Sequence, residues 1–462
     1  MAAGAIAREY RWAPESSFSF QFFMPSVIVI GGGLAGLASA AALGQSGFQV
    51  DVFEARGFLG GRATSYAIPG DTSEVIDNCQ HVLLRCCVNL MDFYGRLGVE
   101  DRIQFHRQFF FIEPGGRISV LQAGGLPAPL HFTGSFLDLK FLGMADKIAI
   151  AGAMLAIQRE HGTRQDLDQI SMLDWLREKH QTERAIQRFW NQVLVSAINE
   201  DLGRMAASHG FQVFWLGFLA SANAYEMGIP AVPLGDLYAR EGWQRIPGVR
   251  FHARTPVERM IVEQGAIHGV MAAGEQHVAD YYVSSLPFER LPAVIPELDL
   301  KLEGFEHSPI TGIHLWFDRS ITDLPHATLL DRTMQWMFNK SGGRYVQLVV
   351  SASRSLVEMP RAEVIALAMR ELPEFFPLVK EAKLEKAHVV KEIRATFSAR
   401  PGLEQARPLS ATQFENLFLA GDWTRSGWPP IMEGAVRSGY LAAEGVTRAA
   451  GDERKFLLPD IA

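Results

Sequence analysis

Cysteine is scarce in this chain of 462 residues: only Cys79, Cys86 and Cys87, the last two adjacent. Neighbouring cysteines are poorly placed to bridge each other or to share a zinc ion, so a disulfide scaffold is excluded and no metal is expected. A reducing, cytoplasmic setting fits. Basic charge is also short. Forty-four Lys and Arg stand against 51 Asp and Glu, for a formal charge of -7 with no basic stripe, and nucleic acid is not an expected partner. No run makes a convincing membrane span. The most apolar stretch, residues 205–225, has no charged residue but contains His209, Gln212 and Asn223, and reads as a buried core helix before one lying in a membrane interface. Residues 1–23 lack the apolar core of a secretory signal, and the expectation is that Met24 is the natural initiator or that 1–23 form a loose tail. There is neither an internal repeat nor a low-complexity linker. At this length two cores are expected, and without a linker the two domains must interleave.

What is present begins with SVIVIGGGLAGLASAAALGQSGFQVDVFEA: four apolar β-formers, a glycine turn, an alanine-rich helix and a second strand ending in Glu54. Gly31 permits the tight turn, Gly33 lets the backbone approach a pyrophosphate, and Gly36 lets helix and strand pack closely. The phosphates would sit on the helix start at Leu34, Ala35 and Gly36. Glu54 is placed to accept from ribose hydroxyls, and an acid there favours an unphosphorylated ribose over NADP.

Glu54-Ala55-Arg56 leads into Gly60-Gly61-Arg62, and here the sequence resembles the flavin amine oxidase and carotenoid desaturase superfamily. Close backbone approach plus the guanidinium groups of Arg56 and Arg62 suit an extended diphosphate cofactor. The resemblance implies FAD. It also implies that Gln80, His81 and Val82 line the approach to the flavin, after a Cys79 that stands where relatives carry glycine. Val257 would meet the adenine through backbone atoms, and residues 281–287 would be the strand that closes the sheet. Near the other end, LFLAGDWTRSGWPPIMEGAVRSG would place a strand, residues 417–420, beside the Gly31 unit. Gly421 would then allow close approach, Asp422 would face ribityl hydroxyls, and Pro430, Ile431 and Met432 would turn into a helix whose backbone N–H groups meet the flavin edge.

The fold class that follows is α/β plus α+β: a Rossmann-like FAD-binding domain interleaved with a substrate domain of antiparallel sheet plus helices. Residues 24–90, 235–300 and 397–450 are assigned to the first. Residues 91–234, with a helical subdomain at 135–228, and 301–396 are assigned to the second; 451–462 is a tail. Ser171 reads as a helix cap, and the alternation from Ile313 onward as the antiparallel sheet.

Narrower signatures go further. Asp77-Asn78-Cys79-Gln80-His81-Val82-Leu83-Leu84, Val232-Pro233-Leu234-Gly235-Asp236-Leu237, Trp336-Met337-Phe338-Asn339-Lys340 and Gly421-Asp422-Trp423-Thr424 with Gly427-Trp428-Pro429 resemble the squalene-associated FAD-dependent desaturase family, the hydroxysqualene dehydroxylases. The likeness covers residues 24–446. It implies reductive removal of the hydroxyl of hydroxysqualene to give squalene, in bacterial hopanoid synthesis, with reduced FAD as hydride donor. Such chemistry needs an acid, for which His81, Asp77 and Glu226 are the candidates, and a hydrocarbon pocket, for which Phe214, Trp215 and Phe218 are suited. Expected partners are the polyprene, a membrane surface touched peripherally, and a squalene-synthase-like enzyme. The alternatives are a carotenoid-type desaturase, an amine oxidase using Lys340, and a non-catalytic FAD- or lipid-binding partner of a squalene synthase.

Overall fold

The computed structural model describes residues 24–68 and 71–461, so the reading of residues 1–23 lies outside it. Ser26–Ile30 is the middle strand of a five-stranded parallel sheet. On one side lie Gln49–Glu54 and then Val249–Ala253; on the other, Tyr281–Ser284 and then Leu417–Leu419. Two sequence expectations are corrected here. The strand within 281–287 does not close the sheet, and residues 417–419 do not pair with the Gly31 strand; Val283 pairs with Val29 on one side and Phe418 on the other. Tyr282 and Val283 are fully buried, as suits an interior strand of a parallel sheet, whereas a three-residue strand suits an edge.

Alanine and glycine make the helix Leu34–Gln45 slim enough to be buried along nearly its whole length. The last helix, Met432–Ala449, packs against it so closely that a Cβ on Gly439 would come within 2.2 Å of the Ala35 carbonyl. The nucleotide layer is therefore assembled from both ends of the described chain.

The second layer is a seven-stranded sheet in the order Leu384–Phe397, His307–Phe317, Tyr345–Val350, Trp336–Ser341, His326–Leu329, Phe109–Ile112 and Ile118–Leu121. It is antiparallel except where His326–Leu329 meets Phe109–Ile112, so the sheet is mixed and reaches further back along the chain than the alternation after Ile313 announced. One face carries Ala327, Leu329, Met337, Leu348, Ile313 and Leu315, packed on the helix Arg361–Phe375. The opposite face carries His326, Trp336, Phe338, Lys340, Gln347 and Val349, because strand side chains alternate.

Helices fill the region between. Ser171 caps Met172–Glu178, its Oγ accepting from the Asp174 N–H. Residues 205–225 are not one continuous helix: Ala207–Phe214 passes into a single π-helical turn, Trp215–Leu219, and a loop follows. Met205, Phe211, Phe214 and Tyr225 are buried, which removes this stretch as a membrane-facing surface. Among the described residues no helix is long and apolar enough to cross a membrane.

One half-buried acid makes stability depend on pH. Burial, reinforced by the charge of Glu404 and opposed by Arg407 and by the Glu404 backbone N–H, pushes the pKa of Asp168 up from 3.8 to about 6. The folded state thus holds this proton more tightly than the unfolded chain, so the associated stability is complete below about pH 4 and lost as pH rises through 6. Asp168→Asn is expected to raise Tm by about 2–4 °C at pH 7.5 and by little at pH 4. Equal gains at both pH values, by calorimetry, would count against this account.

Candidate active site

The phosphate turn is built by steric demand. Gly31 sits at φ +106°, and a Cβ on Gly36 would lie 2.0 Å from the Gly31 carbonyl oxygen. The helix that follows has no side-chain cap and no acid in its first turn, leaving the N–H groups of Leu34, Ala35 and Gly36 without intrahelical partners. Those donors, at the positive end of the helix dipole, fit a pyrophosphate. The second glycine turn stacks on the first. Gly60 donates to the Gly32 carbonyl at 2.8 Å, and a Cβ on Gly61 would fall 3.0 Å from Gly33 Cα. The Gly60-Gly61 pair thus has a packing reason besides any contact with phosphate.

Glu54 is held at the end of its strand. Its Oε2 accepts from the Gly32 N–H and its Oε1 from the Arg56 N–H, each at 2.7 Å, and each oxygen retains a lone pair for a ribose hydroxyl. Ala55 and Arg56 are exposed beside it. Thr255 N–H donates to the Glu54 carbonyl and Arg254 N–H to that of Arg56, which brings the strand beginning at Val257 alongside.

Next to these turns lies a cleft of about 150 Å³, lined among others by Arg56, Arg62, Phe288, Arg394, Asp422 and Trp423. Arg62 spans it, pairing with Asp422 Oδ1 at 2.5 Å and donating to the Ala395 carbonyl at 3.0 Å. Burial works against the Arg62 charge, but Asp422, with Glu289 and Glu392, raises its pKa. Asp422, read from sequence as a partner of ribityl hydroxyls, therefore also answers a guanidinium. Gly421, at φ +138°, leaves no room for a side chain, since a Cβ would meet the Trp423 indole nitrogen at 2.5 Å.

Sequence reasoning missed what holds this closing loop. Arg407 is buried to 1% exposure and donates to the carbonyls of Asp422 (2.9 Å), Thr424 (2.5 Å) and Trp428 (2.9 Å), with Glu404 as counter-ion at 2.6 Å. Nothing in the local pattern around Arg407 marks it. Beyond the loop, Pro430 is buried and Ile431 and Met432 open the last helix with no side-chain cap. Glu433 is the acid in its first turn, but it caps another helix: its carboxylate accepts from the N–H groups of Asn89 and Leu90. The start of the last helix is thereby left without a side-chain cap.

The three candidate acids stand differently. Asp77 accepts from Lys340 Nζ (3.0 Å), Ser65 Oγ (2.7 Å) and the Leu234 N–H (2.9 Å), so every contact it makes is an accepted one. Glu226 is gripped by Arg85 at 2.7 Å and Arg107 at 3.0 Å. His81 Nδ1 lies 2.9 Å from the Cys79 carbonyl, which can only accept, so Nδ1 carries the proton and Nε2 is the free acceptor; burial lowers the pKa of this imidazole. Cys79 itself sits outside the positive-φ region, so the departure from glycine is accommodated without strain. Lys340 Nζ also donates to Gln80 Oε1 at 2.9 Å, tying the substrate sheet to the Gln80-His81-Val82 turn, of which Val82 is the exposed member. Phe214 and Phe218 are core neighbours with centroids 5.3 Å apart, while Trp215 stacks on His161.

An uncapped helix start after a glycine turn, an acid at the second strand end, a guanidinium-lined cleft and a second uncapped helix start fit an extended dinucleotide such as FAD. The chain belongs to the flavin containing amine oxidoreductase family, whose pattern matches residues 34–447. It is 26% identical over 456 residues to a 15-cis-phytoene desaturase of Synechococcus elongatus, covering 91% of this chain and 95% of the relative. A zeta-carotene desaturase of Synechocystis is 24% identical over 477 residues, covering 91% and 96%. The fold matches an oxidoreductase from Methanosarcina mazei with TM-score 0.69 at 19% identity, over 90% and 98% of the two chains. It also matches cyclohexylamine oxidase from Brevibacterium oxydans with TM-score 0.64 at 17% identity, over 93% and 100%.

Proposed function

We propose that this FAD-dependent oxidoreductase removes the hydroxyl of hydroxysqualene, giving squalene and water. FAD, when bound and reduced, supplies the hydride; its two electrons replace the C–O bond by C–H, and a proton completes water on the departing oxygen. The chain's own residues hold the polyprene and exclude water. The observation that carries the reading is a contiguous file of rings: Phe132 to Tyr225 (4.7 Å), Tyr225 to Phe109 (6.0 Å), Phe109 to His326 (6.3 Å), His326 to Trp336 (6.3 Å) and Trp336 to Phe338 (5.6 Å). Phe338 packs on Cys79, one residue from Gln80. Such a wall suits a long hydrocarbon and can steady a positive charge developing along it.

The second reading, desaturation of a carotenoid-type polyprene, draws on the named relatives and uses the same wall. Anaerobic incubation with chemically reduced flavin separates the two. Conversion of hydroxysqualene to squalene is expected; an untouched alcohol with desaturated phytoene under oxidising conditions would sink the first reading in favour of the second.

Phe132, at one end of the ring file, lies within a stretch rich in exposed apolar side chains. Leu126, Leu130, Leu137, Met144, Ile148 and Leu155 are all exposed, the last three spaced four and seven residues apart along one face of the helix Met144–Glu160. Six exposed large apolar side chains within residues 126–155 are more than an ordinary soluble surface carries, and exposed Lys140 and Arg159 on the same stretch complement anionic headgroups. We assign this face to the bilayer that holds the insoluble substrate, in place of residues 205–225. The wild type is expected to float with phosphatidylglycerol vesicles, and Ile148→Glu/Leu155→Glu to stay in the dense fraction with full FAD content. Undiminished flotation of the double variant would remove the assignment.

A further inference from the structure

His326 has no structural partner. It is fully buried, and neither Nδ1 nor Nε2 has a hydrogen bond. Five rings surround it: His106 at 5.2 Å, Phe110 at 5.6 Å, Phe109 and Trp336 each at 6.3 Å, and Phe338 at 6.4 Å. An orphaned buried polar group is destabilising, and in such a cage a phenyl ring would pack without that penalty. Packing alone therefore gives no reason for histidine at this position.

Its place in the sheet gives one. His326 lies opposite Phe338, Phe338 opposite Gln347, and Gln347 opposite His314, so the four form a single cross-strand row on the face that also presents Lys340 to Asp77 and Gln80. Two of the four are already satisfied or half satisfied. His314 Nδ1 meets the Tyr345 hydroxyl at 2.7 Å and its Nε2 meets Gln347 Nε2 at 3.3 Å, while Gln347 Oε1 is left bare. Thr328 Oγ1, two residues along the His326 strand on the same face, is bare as well. A wall otherwise made of hydrocarbon and rings thus holds unspent hydrogen-bonding capacity at one level.

We infer that His326 is the residue that recognises a hydroxyl on a long isoprenoid alcohol, binding it within the aromatic wall and so separating alcohols from plain hydrocarbons. This rests on the dehydroxylation reading above. Chemically the match is two-sided: a neutral imidazole offers one N–H donor and one acceptor nitrogen, and a hydroxyl needs both. Burial, with His106 adding its share, depresses the His326 pKa to about 3, so the neutral form is the one present at physiological pH. The role is positional. No proton or hydride is assigned to His326, and a site built to satisfy a hydroxyl rejects an analogue that lacks it by leaving polar atoms unpaired.

The test is equilibrium binding to oxidised holoenzyme, read from the perturbation of flavin absorbance, with hydroxysqualene and squalene as the two probes in the same detergent. Wild type is expected to bind the alcohol at least about tenfold more tightly than the hydrocarbon. His326→Phe should abolish that ratio by weakening the alcohol alone, with a Tm equal to or above wild type. The smaller His326→Leu gives the same reading where a phenyl ring overpacks the cage. An unchanged ratio in either folded variant overturns the role of His326 while leaving the reaction standing. A wild type that shows no preference and desaturates phytoene overturns the reaction, and this ligand with it.

Discussion

Glu54→Ala will purify without its yellow colour. The carboxylate sits at the end of the second strand with one oxygen on the Gly32 N–H and the other on the Arg56 N–H, both at 2.7 Å. It thus fixes the backbone of the glycine turn and of the segment leading to Arg62, and its remaining lone pairs are free to accept from a ribose. Hydrogen bonds to a charged acceptor contribute about 1.5–3 kcal/mol each, so losing two to ribose weakens FAD by about a hundredfold or more. The released Gly32 and Arg56 N–H groups add to the loss, since the two glycine turns no longer share an anchor. Glu54→Gln separates the contributions. An amide keeps one acceptor but puts an NH₂ against a backbone N–H, so intermediate affinity is expected. The ratio of absorbance at 450 and 280 nm, followed by titration of the stripped protein with FAD, measures both variants. A Glu54→Ala protein carrying stoichiometric flavin would refute the ribose assignment.

That prediction is available from sequence because the phosphate turn is local. Strand, glycines, helix and acid occur within residues 26–54; Gly36 is required by a clash with the Gly31 carbonyl inside the unit and Gly31 by its positive φ, while a Cβ on Gly33 would meet nothing nearer than Gly61 at 3.9 Å. The closing loop was legible for a similar reason, through Gly421 and the uncapped start at Ile431. Strand order was not. Whether residues 417–419 pair with the Gly31 strand or with Tyr281–Ser284 depends on which edge is free after the intervening strand has docked, and that is a property of the assembled sheet. Similarly, alternation in Trp336–Ser341 and Tyr345–Val350 announces a sheet but not which face meets the flavin side. The polar residues at alternate buried positions, His326, Gln347 and His314, were the available signal, and periodicity of two alone ranks them as ordinary sheet residues. The acids chosen by motif, Asp77 and Glu226, turn out to be tied to Lys340 and to two arginines, partners separated from them by more than a hundred residues.

Long-range partnership has its largest consequence at Arg407. Its guanidinium reaches three carbonyls of the 421–428 loop and the Glu404 carboxylate from a position almost wholly shielded from water. The loop carries Asp422, which pairs with Arg62, and leads into the helix start at Met432, so one side chain sets the distance between these two elements. Arg407→Leu leaves those carbonyls buried without donors and the Glu404 counter-ion unpaired. At about 1–3 kcal/mol for each orphaned group, and about 3–5 kcal/mol for breaking a buried pair, a loss of at least 3–5 kcal/mol is expected. Arg407→Lys restores the charge but not the planar fork that serves three acceptors, and should recover only part. The expected result for Leu is loss of flavin on gel filtration, a Tm lower by about 3–5 °C or more, and faster amide exchange across residues 421–432 than in Leu34–Gln45. Arg425→Ala is the control: its side chain is exposed and touches only the Gln405 carbonyl, so it should leave all three measurements near wild type. Arg407→Leu protein with full FAD and an unchanged exchange pattern would show that the loop holds its shape through Asp422 and Arg62 alone.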